Sequence, residues 1–409
     1  MRRSTSEHSQ ASTTVPTPGA GRRRSVSFRR LGAAVAAMFA RGPMAGPTTE
    51  QQLQEAASDA VSVYLGREDQ YWPEKDLDES SEGQCSLMRS AATGHVFVVK
   101  HTKAVRLRDA GHFQAGDSKD WKFPNEVRIL RDTLKPHRNI IGVLDVVDDE
   151  LSPGRYYIWS EYCSGGDLWA QVDYWWRTRR AIVPEPFLLH VIISIANALA
   201  YAHWGLRARG GGKYTQDDNH TSIIHGDIKM ENVFLRWSSR EFGGMPDVVL
   251  GDWGCAKPIN RKGSYLGIGT PEYGAPEDHA IHRNAPMTEA TWKDYCKAVD
   301  NRSPAVDVYG FGQVIYMLAA KDRRPWPIGA SPGPLTISRE YGTLGILQLA
   351  QSCLQVDHQQ RAMANFDQEL GLMPAINDIR KARNAMVAAR RPLDNLEWLQ
   401  KPKPAGSLR

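Results

Sequence analysis

The chain has 409 residues, of which 41% are hydrophobic and 24% charged, and its formal net charge at pH 7 is +5. A chain of this length and apolar content can bury a sizeable core, and it fits one large domain with a tail better than several independent domains. Residues 1–49 contain eight arginines, no lysine and one acidic residue, so the rest of the chain is close to neutral. This distribution of charge does not favour nucleic-acid binding.

The first fifty residues are rich in Ser, Thr, Pro, Gly and Arg, which predicts a disordered basic tail over residues 1–50. Arginines between residues 22 and 41, with apolar residues among them, also fit a mitochondrial targeting helix, and this alternative stays open. The five cysteines are scattered and odd in number, which indicates no disulfide framework and a reducing compartment. We therefore expect a cytoplasmic or nuclear protein. We expect no membrane span, because no apolar stretch reaches the required length.

Two segments in the first half predict a strand followed by a helix. The run from His95 to Lys100 is apolar and β-branched up to its final lysine, which is typical of a strand. Residues 123–130 have a proline near the start and place Glu126 in line with apolar residues, as at the beginning of a helix. Residues 106–120 between them are polar and contain glycine, so we expect a surface loop there.

Residues 225–232 read His-Gly-Asp-Ile-Lys-Met-Glu-Asn and directly follow two isoleucines. Asp227, Lys229 and Asn232 are two and three residues apart, so one loop can point a carboxylate, an ammonium group and an amide oxygen into a small volume. Phosphoryl transfer needs such groups: a base near the attacking hydroxyl, a cation against the moving phosphoryl group and an oxygen ligand for Mg²⁺. The octet therefore indicates phosphoryl-transfer chemistry.

Three later motifs complete a set with this octet. Asp252 ends an apolar run and begins Asp-Trp-Gly, residues 269–277 read Gly-Thr-Pro-Glu-Tyr-Gly-Ala-Pro-Glu, and residues 307–312 read Asp-Val-Tyr-Gly-Phe-Gly. In this order and spacing, the four motifs resemble the catalytic loop, the Asp-Phe-Gly motif, the end of the activation segment and the buried C-lobe helix of eukaryotic-type protein kinases, serine/threonine class. Small-molecule kinases also carry His-Gly-Asp, but they lack the segment seen at 269–277.

The resemblance implies an α+β fold, namely the two-lobed protein kinase-like fold with a small β-rich N-lobe and a larger, mostly helical C-lobe. The N-lobe would span residues 71–162 and the C-lobe residues 163–381, followed by an exposed C-terminal tail over residues 386–409. Residues 207–222, which are glycine-rich and polar, and residues 278–303 would be surface insertions.

The resemblance also implies a role for each candidate residue. Asp227 would accept the hydroxyl proton and Lys229 would neutralise developing charge, while Asn232 and Asp252 would hold Mg²⁺. The residues implied to bind or position the nucleotide are Gly83, Lys100, Glu126, Glu161, Cys163 and Asp167. The residues implied to form the segment that holds the peptide substrate are Thr270, Glu277 and Arg361. In the loop that would cover the phosphates, Gly83 matches a family glycine and serines stand at the other two positions.

The predicted function is that of a serine/threonine protein kinase, which transfers the γ-phosphoryl group of ATP, with Mg²⁺, to Ser and Thr hydroxyls of protein substrates. The alternative is a pseudokinase scaffold that binds nucleotide and partners without efficient phosphoryl transfer, as the missing glycines and Trp253 suggest. Gly226 stands where many members have an arginine that needs a phosphorylated activation segment. We therefore predict that catalysis does not depend on phosphate at Ser264, Tyr265 or Thr270. The alternative is that the nearby basic residues Lys257, Arg261 or Lys262 receive a phosphate.

Overall fold

The computed structural model describes residues 71–80, 83–102, 125–148, 155–237, 242–260, 269–279, 289–343, 345–389 and 397–400. Within these ranges the chain forms a five-stranded antiparallel sheet followed by a mainly helical body, which confirms the predicted two-lobed α+β fold. The tail predicted at residues 1–50 and the surface loop predicted at residues 106–120 lie outside the described residues.

The N-lobe is a sheet with the strand order β1-β2-β3-β5-β4. Its strands are β1 (Tyr71–Ser80), β2 (Gly83–Ser90), β3 (Val96–Thr102), β4 (Val143–Asp148) and β5 (Tyr156–Glu161). All neighbouring strands are antiparallel, and β3 lies in the middle, where Lys100 is opposite Cys85 of β2 and Ile158 of β5. The apolar run that predicts a strand therefore forms the centre of the sheet.

One face of this sheet is closed by an aromatic cluster. Tyr71, Phe97 and Trp159 come from β1, β3 and β5 and are all buried, and the ring centroids of Tyr71 and Trp159 lie 4.7 Å apart in an edge-on arrangement. Such pairs stabilise a core beyond the area that they bury. Because side chains alternate along a strand, Phe97 and Val99 point into this cluster and Lys100 points to the opposite face.

Helix α1 (Asn125–Val127) continues as a π-helix over Arg128–Thr133 and lies against the turn Trp253–Cys255. The helices of the C-lobe are α2 (Leu168–Asp173, continued as a π-helix over Tyr174–Arg179), α3 (Glu185–Trp204), α4 (Pro276–His279), α5 (Glu289–Asp300), α6 (Ala305–Ala320), α7 (Ile346–Cys353) and α8 (Met373–Ala388).

Helix α3 is the central helix of the C-lobe, and its residues from Pro186 to His203 are buried. It is long and apolar enough to cross a membrane by length and composition, so the expectation that no stretch reaches that length is wrong. However, 94% of its apolar window is buried inside the protein. A helix that is apolar on all sides is typical of the core of a large domain.

Short strand pairs connect the core helices to the loops that carry the motifs. The pairs are β8 (Ile223–Ile224) with β11 (Lys257–Pro258), β9 (Val233–Arg236) with β10 (Asp247–Leu250), and β6 (Leu206–Ala208) with β7 (Tyr214–Gln216). The last pair forms a hairpin inside the predicted insertion. Residues 225–232 thus connect β8 to β9, and Asp252 follows β10. Both motifs therefore emerge from adjacent strand ends.

Helix α8 runs past residue 381, the predicted end of the C-lobe. Helix α8 continues to Ala388, because its last turns pack on the C-lobe. The guanidinium of Arg383 lies 4.1 Å from the centre of the Phe242 ring and is 2.9 Å from His190 Nδ1. His190 and Phe242 are far from Arg383 in sequence, so nothing local to this Arg- and Lys-containing stretch indicates its burial.

The C-terminal tail is predicted to be exposed, and this is wrong at Trp398, which is 8% exposed. Its ring packs edge-on against Trp175, Phe187 and Trp237 at centroid distances of 5.1, 5.0 and 5.1 Å. The preceding carbonyl, that of Glu397, accepts a hydrogen bond from the Trp175 indole. A short piece of the tail is thus part of the C-lobe core.

The predicted surface insertion at residues 278–303 is wrong at both of its ends. Asp278, Val299 and Arg302 are buried. Helix α5 occupies the second half of this segment, and its C-terminal end lies against the rest of the C-lobe. The burial of two charged side chains is stabilised by an ion pair between them, Asp278 with Arg302.

Candidate active site

The loop between β8 and β9 is held by a buried carboxylate from helix α6. Asp307 accepts hydrogen bonds from the backbone N–H groups of His225 and Gly226, both at 2.7 Å, and lies 2.8 Å from His203 Nε2. Burial alone would raise the pKa of Asp307, but the hydrogen bonds from His203 and from the loop amides lower it. The carboxylate therefore remains charged and fixes the start of the loop.

His225 links this loop to the strand end that carries Asp252. Its Nδ1 accepts a hydrogen bond from the Asp227 N–H at 3.2 Å, and its Nε2 is 2.9 Å from the Gly251 carbonyl oxygen. Because a carbonyl can only accept, the proton of the neutral ring must be on Nε2. The ring also packs edge-on against Trp253 at 4.6 Å. One imidazole thus fixes the distance between two acidic residues of the site.

Asp227, Lys229 and Thr270 form a compact triangle. Asp227 Oδ1 accepts a hydrogen bond from the Thr270 N–H at 2.6 Å, and Asp227 Oδ2 lies 3.0 Å from Lys229 Nζ. Lys229 Nζ donates to Thr270 Oγ1 at 2.6 Å. The structure therefore brings the predicted base and cation together with the first residue of the predicted substrate segment.

These contacts decide the charge of both side chains. Burial alone would raise the pKa of Asp227, but the Lys229 charge and hydrogen bonds from Lys229 and Thr270 outweigh it and lower the pKa. Burial alone would lower the pKa of Lys229, but the charges of Asp227 and Asp252 raise it instead. At neutral pH, Asp227 is an anion able to accept a proton and Lys229 is a cation.

Lys100 lies between two carboxylates. Its Nζ donates to Glu126 Oε2 at 3.1 Å and is 3.8 Å from Asp252 Oδ1. Helix α1, which carries Glu126, is held in place by Asn125, whose side-chain amide donates to the carbonyl oxygens of Gly254 at 3.2 Å and Ala256 at 2.6 Å. The predicted lysine–glutamate pair is therefore present, and its helix is tied to the segment after Asp252.

The residues predicted to hold Mg²⁺ fit that ion by their donor chemistry. Asp252 has a left-handed backbone (φ 58°), which is uncommon for a residue other than glycine, and its buried Oδ1 has no hydrogen-bond donor. Asn232 uses its amide nitrogen to bind the Asp227 carbonyl oxygen at 2.8 Å and Oδ2 at 3.1 Å, which leaves the amide oxygen for a ligand. Mg²⁺ bound through phosphates needs only one or two such protein oxygens.

Three of the residues implied to bind the nucleotide, Glu161, Cys163 and Asp167, lie at the end of β5 and directly after it. The Glu161 side chain is buried, pairs with Arg236 and accepts a hydrogen bond from the Gly142 N–H at 2.8 Å, so only its backbone is left to meet a nucleotide. Burial raises the pKa of Cys163 well above its usual value, which makes the thiol inert. Asp167 caps helix α2 by accepting from the Ala170 N–H at 2.8 Å.

Gly83 begins β2 at the tip of the β1–β2 hairpin, opposite Ser80. A Cβ atom at this position would lie 2.1 Å from the His101 carbonyl oxygen of β3. A side chain is therefore excluded by sheet packing, whatever the role of the position in nucleotide binding. Residues 81–82, between β1 and β2 in the sequence, lie outside the described residues.

Glu277 and Arg361 meet in a bidentate ion pair at the end of the predicted substrate segment. Arg361 Nη1 lies 2.6 Å from Glu277 Oε1, and Nη2 lies 3.0 Å from Oε2. The guanidinium is fully buried and also donates to the carbonyl oxygens of Gln355 and Ala305. This pair fixes the segment that begins at Thr270 to the helical core.

Comparison with known proteins decides the family. Residues 71–366, well over half of the chain, match the protein kinase domain. The chain belongs to the protein kinase family. The family that the four motifs indicate is thereby confirmed.

Its curated relatives are serine/threonine kinases. The kinase is similar to human serine/threonine-protein kinase Nek2, with 32% identity over 203 residues, which is 49% of this chain and 39% of the relative. It is similar to mouse Nek2, with 28% identity over 60% of this chain and 45% of the relative, and to the meiosis-specific serine/threonine-protein kinase mek1 of Schizosaccharomyces pombe, with 28% identity over 47% and 36%. The matched region spans less than half of each of these relatives.

Sequence reasoning missed three residues that support the site. Asn125 holds the helix of Glu126, Lys257 is a buried cation on β11, and Arg302 lies against the catalytic loop. Asn125 directly precedes Glu126 in the sequence, and this position beside a predicted site residue was a signal that could have identified it. Lys257 appeared only as a candidate phosphate partner, and Arg302 belonged to a predicted surface insertion, so the sequence contained no local pattern for their contacts.

Proposed function

We propose that this kinase is catalytically active and transfers the γ-phosphoryl group of ATP, with Mg²⁺, to Ser or Thr hydroxyls of protein substrates. The observation that carries this proposal is the position of Lys100, 3.1 Å from Glu126 and 3.8 Å from Asp252. In the same site Asp227 and Lys229 lie 3.0 Å apart. Binding of partners alone would require neither of these charged pairs.

In the proposed reaction, the substrate hydroxyl oxygen attacks the γ-phosphorus, the bond from that phosphorus to the bridging oxygen breaks, and ADP leaves. Asp227 orients the hydroxyl and accepts its proton, which its lowered pKa permits at neutral pH. Lys229 offers positive charge beside the moving phosphoryl group. Lys100, held by Glu126, positions the phosphates of the nucleotide.

A metal ion is the other source of positive charge in this chemistry. Asn232 and Asp252 would hold Mg²⁺, which neutralises the charge on the phosphates when it is bound. The buried Oδ1 of Asp252 accepts no hydrogen bond and lies 3.8 Å from Lys100 Nζ, which supports this assignment. Within the described residues there is no cluster of three or more His, Cys, Asp or Glu side chains that could hold a metal ion by itself. The phosphates would therefore complete the coordination.

Preference for Ser and Thr is supported by the contact between Lys229 and Thr270 at 2.6 Å, because the resemblance associates this pair with serine/threonine kinases. The relatives carry the same specificity in their names. The buried Glu277–Arg361 pair supports a segment ordered enough to hold a peptide.

The scaffold alternative is favoured by the presence of a single glycine, Gly83, at the hairpin tip. Trp253 in the place of phenylalanine does not support it, because the indole is buried and donates to the Leu250 carbonyl oxygen at 3.2 Å. The large ring is accommodated in the core and leaves Asp252 beside Lys100. Measurement of turnover separates the two functions.

The test is phosphorylation of a Ser/Thr peptide library by the purified full-length chain and by its Asp227→Asn variant. We expect the variant to lose about 10²–10⁴-fold in kcat, because the group that accepts the proton is removed. Its affinity for ATP should stay within about threefold, since Asp227 contacts the nucleophile rather than the nucleotide. Asp252→Asn should weaken Mg²⁺-dependent nucleotide binding as well.

Asp378→Asn is the matched control, because this carboxylate is exposed and pairs with Lys381 on the surface of α8. It should leave all parameters unchanged. Equal and negligible turnover by wild-type, Asp227→Asn and Asp378→Asn proteins, together with normal nucleotide binding, would identify a scaffold instead.

A further inference from the structure

The residue before Asp227 has no room for a side chain. Gly226 has a left-handed backbone with φ of 83°, and a Cβ atom built on it would lie 2.9 Å from Arg302 Nη1 and 2.9 Å from the Cys255 carbonyl oxygen. Both conformation and space therefore require glycine at this position. The space is occupied by a guanidinium that comes from another part of the chain.

That guanidinium belongs to Arg302, which lies between helices α5 and α6 and whose side chain is 3% exposed. Its Nη2 donates to the Gly226 carbonyl oxygen at 3.1 Å and to Asp278 Oδ2 at 2.9 Å. Asp278 is buried as well and directly follows Glu277, the partner of Arg361. Two adjacent acids of helix α4 thus each bind a buried arginine.

Arg302 and Asp307 hold opposite ends of the same residue. The Gly226 N–H donates to Asp307 Oδ1 at 2.7 Å, and the Gly226 carbonyl accepts from Arg302 at 3.1 Å. This carbonyl belongs to the peptide group that bears the Asp227 N–H. With both groups of Gly226 fixed, the orientation of the Asp227 backbone, and with it the direction of its side chain, is determined.

The end of helix α5, just before Arg302, also holds the segment that follows Asp252. Lys257 of β11 is buried, and its Nζ donates to the Val299 carbonyl oxygen at 3.0 Å and to Asp300 Oδ1 at 3.0 Å. Lys257 pairs in β11 with Ile224, at the start of the catalytic loop. Residues 299–302 therefore contact both strand β11, through Lys257, and the catalytic loop, through Gly226. The Lys257 ammonium group is thus bound to groups inside the protein.

We propose that Arg302 is a positioning residue for catalysis: its buried guanidinium binds Gly226 and Asp278 and holds Asp227 in its working orientation without phosphate on the activation segment. This inference rests on the proposed kinase activity. Many kinases have an arginine directly before the residue that corresponds to Asp227, and this chain has Gly226 there. The Arg302 guanidinium, which comes from the residues before α6, takes the place of that cation. Its partner is an internal carboxylate instead of an added phosphate, so the charge pairing is permanent.

The test must separate positioning from folding, because removal of Arg302 alone leaves Asp278 buried without its partner. We therefore compare Arg302→Met, Arg302→Lys and the double variant Arg302→Met/Asp278→Asn, in which both charges of this buried pair are removed. The control is Arg324→Met, since the Arg324 side chain is 88% exposed and lies 3.7 Å from Asp322 at the surface. Melting temperature, kcat, KM for ATP and amide hydrogen exchange are measured on each full-length protein.

We expect the double variant to melt close to the wild-type temperature and yet to lose about 10²-fold in kcat, because a small misplacement of a catalytic group is enough for such a loss. Its KM for ATP should remain within about threefold of the wild-type value. Arg302→Lys should retain more activity than Arg302→Met, and Arg324→Met should match wild type. Phosphatase treatment of the wild-type protein should leave kcat unchanged.

Hydrogen exchange makes the result independent of turnover. Amides of residues 225–229 should exchange faster in the double variant than in wild type, even if the wild-type protein proves inactive and the proposed function fails. Wild-type kcat and unchanged exchange in a folded double variant would overturn the role of Arg302. Loss of wild-type activity on phosphatase treatment, restored by rephosphorylation, would overturn it as well.

Discussion

Two different groups of Thr270 contact the proposed catalytic residues Asp227 and Lys229. Its N–H donates to Asp227 Oδ1 at 2.6 Å, and its hydroxyl accepts from Lys229 Nζ at 2.6 Å. The backbone contact would survive substitution of the side chain, but the hydroxyl contact would not. Thr270 therefore offers a way to disturb the charge balance between Asp227 and Lys229 without removing either of them.

We predict that Thr270→Val lowers kcat by about tenfold and moves the acid limb of the kcat/KM profile to higher pH. A hydrogen bond from the Thr270 side chain helps to lower the pKa of Asp227, so its loss raises that pKa. The carboxylate then becomes protonated, and inactive as a base, at a higher pH than in wild type. Thr270→Ser keeps the hydroxyl and serves as the control. Identical pH profiles for the Val and Ser variants would show that the hydroxyl has no such effect.

At the scale of single residues, the sequence identifies the charged groups but not what fixes them. Asp227, Lys229 and Asn232 lie within one short loop, so their spacing is visible in the sequence. Arg302 binds Gly226 across 76 residues and is surrounded in sequence by ordinary polar residues. Charged residues in such stretches are mostly exposed. Only the folded chain shows that this one is buried.

At the scale of elements, the pair between Glu277 of α4 and Arg361, after α7, connects the substrate segment to the helical core. The guanidinium of Arg361 has no exposed surface, and its ring-stacking partner Tyr309 of α6 lies 5.0 Å away. Arg361 therefore connects its own loop after α7 with Glu277 of α4 and with α6. Loss of this side chain should therefore lower the free energy of unfolding of the whole domain and not only remove one local contact.

We predict that Arg361→Leu lowers the free energy of unfolding by about 3–5 kcal/mol, because it leaves Glu277 without its partner in a largely buried place. Denaturant titration of the full-length chain measures this change. Lys381→Leu is the control, since the Lys381–Asp378 pair is a surface pair within α8 whose side chains are more than 70% exposed. Such pairs contribute about 0–1 kcal/mol. A loss of equal size in both variants would contradict the assignment.

The accuracy of the element predictions differs for physical reasons. Strand β3 and helix α1 appear where periodicity and the proline signal place them, because their apolar faces are local patterns. The π-helical continuation over Arg128–Thr133 is not visible in such patterns. Helix α5 is wrongly assigned to a surface insertion because its composition is polar, although Val299 and, just after the helix, Arg302 are buried.

At the scale of the whole molecule, the two-lobed fold is predicted correctly because four motifs fix the order of its parts. The C-terminal end of the C-lobe is harder to predict from the sequence. Trp398 is separated from helix α8 by residues 390–396, which lie outside the described ranges, and its aromatic partners come from α2, α3 and the end of β9. A lone tryptophan in a basic, proline-containing stretch carries no periodic signal.

Buried histidines make the stability of the whole domain dependent on pH. His190 belongs to α3 and faces α8. Its Nε2 is 3.1 Å from the Pro246 carbonyl oxygen and its Nδ1 is 2.9 Å from Arg383 of α8. Burial, together with the Arg383 charge, lowers the pKa of His190 to about 3, and burial lowers the pKa of His137 to about 4. Both rings are therefore neutral in the folded protein at pH 5–8.

We predict that the protein loses stability as the pH falls from 7.5 to 5.5. An unfolded histidine takes up a proton near pH 6.5 and the two folded rings do not, so acid favours the unfolded chain. Each such ring lowers the free energy of unfolding by about 1.4 kcal/mol over this interval, which lies above the range where carboxylates titrate. His190→Gln should be less stable at pH 7.5, since it loses buried hydrogen bonds, but its decline towards pH 5.5 should be smaller by about 1.4 kcal/mol. Denaturant titrations at the two pH values give the comparison. Parallel declines in wild type and His190→Gln would mean that His190 has the same pKa in the folded and unfolded chains, so that burial does not lower it.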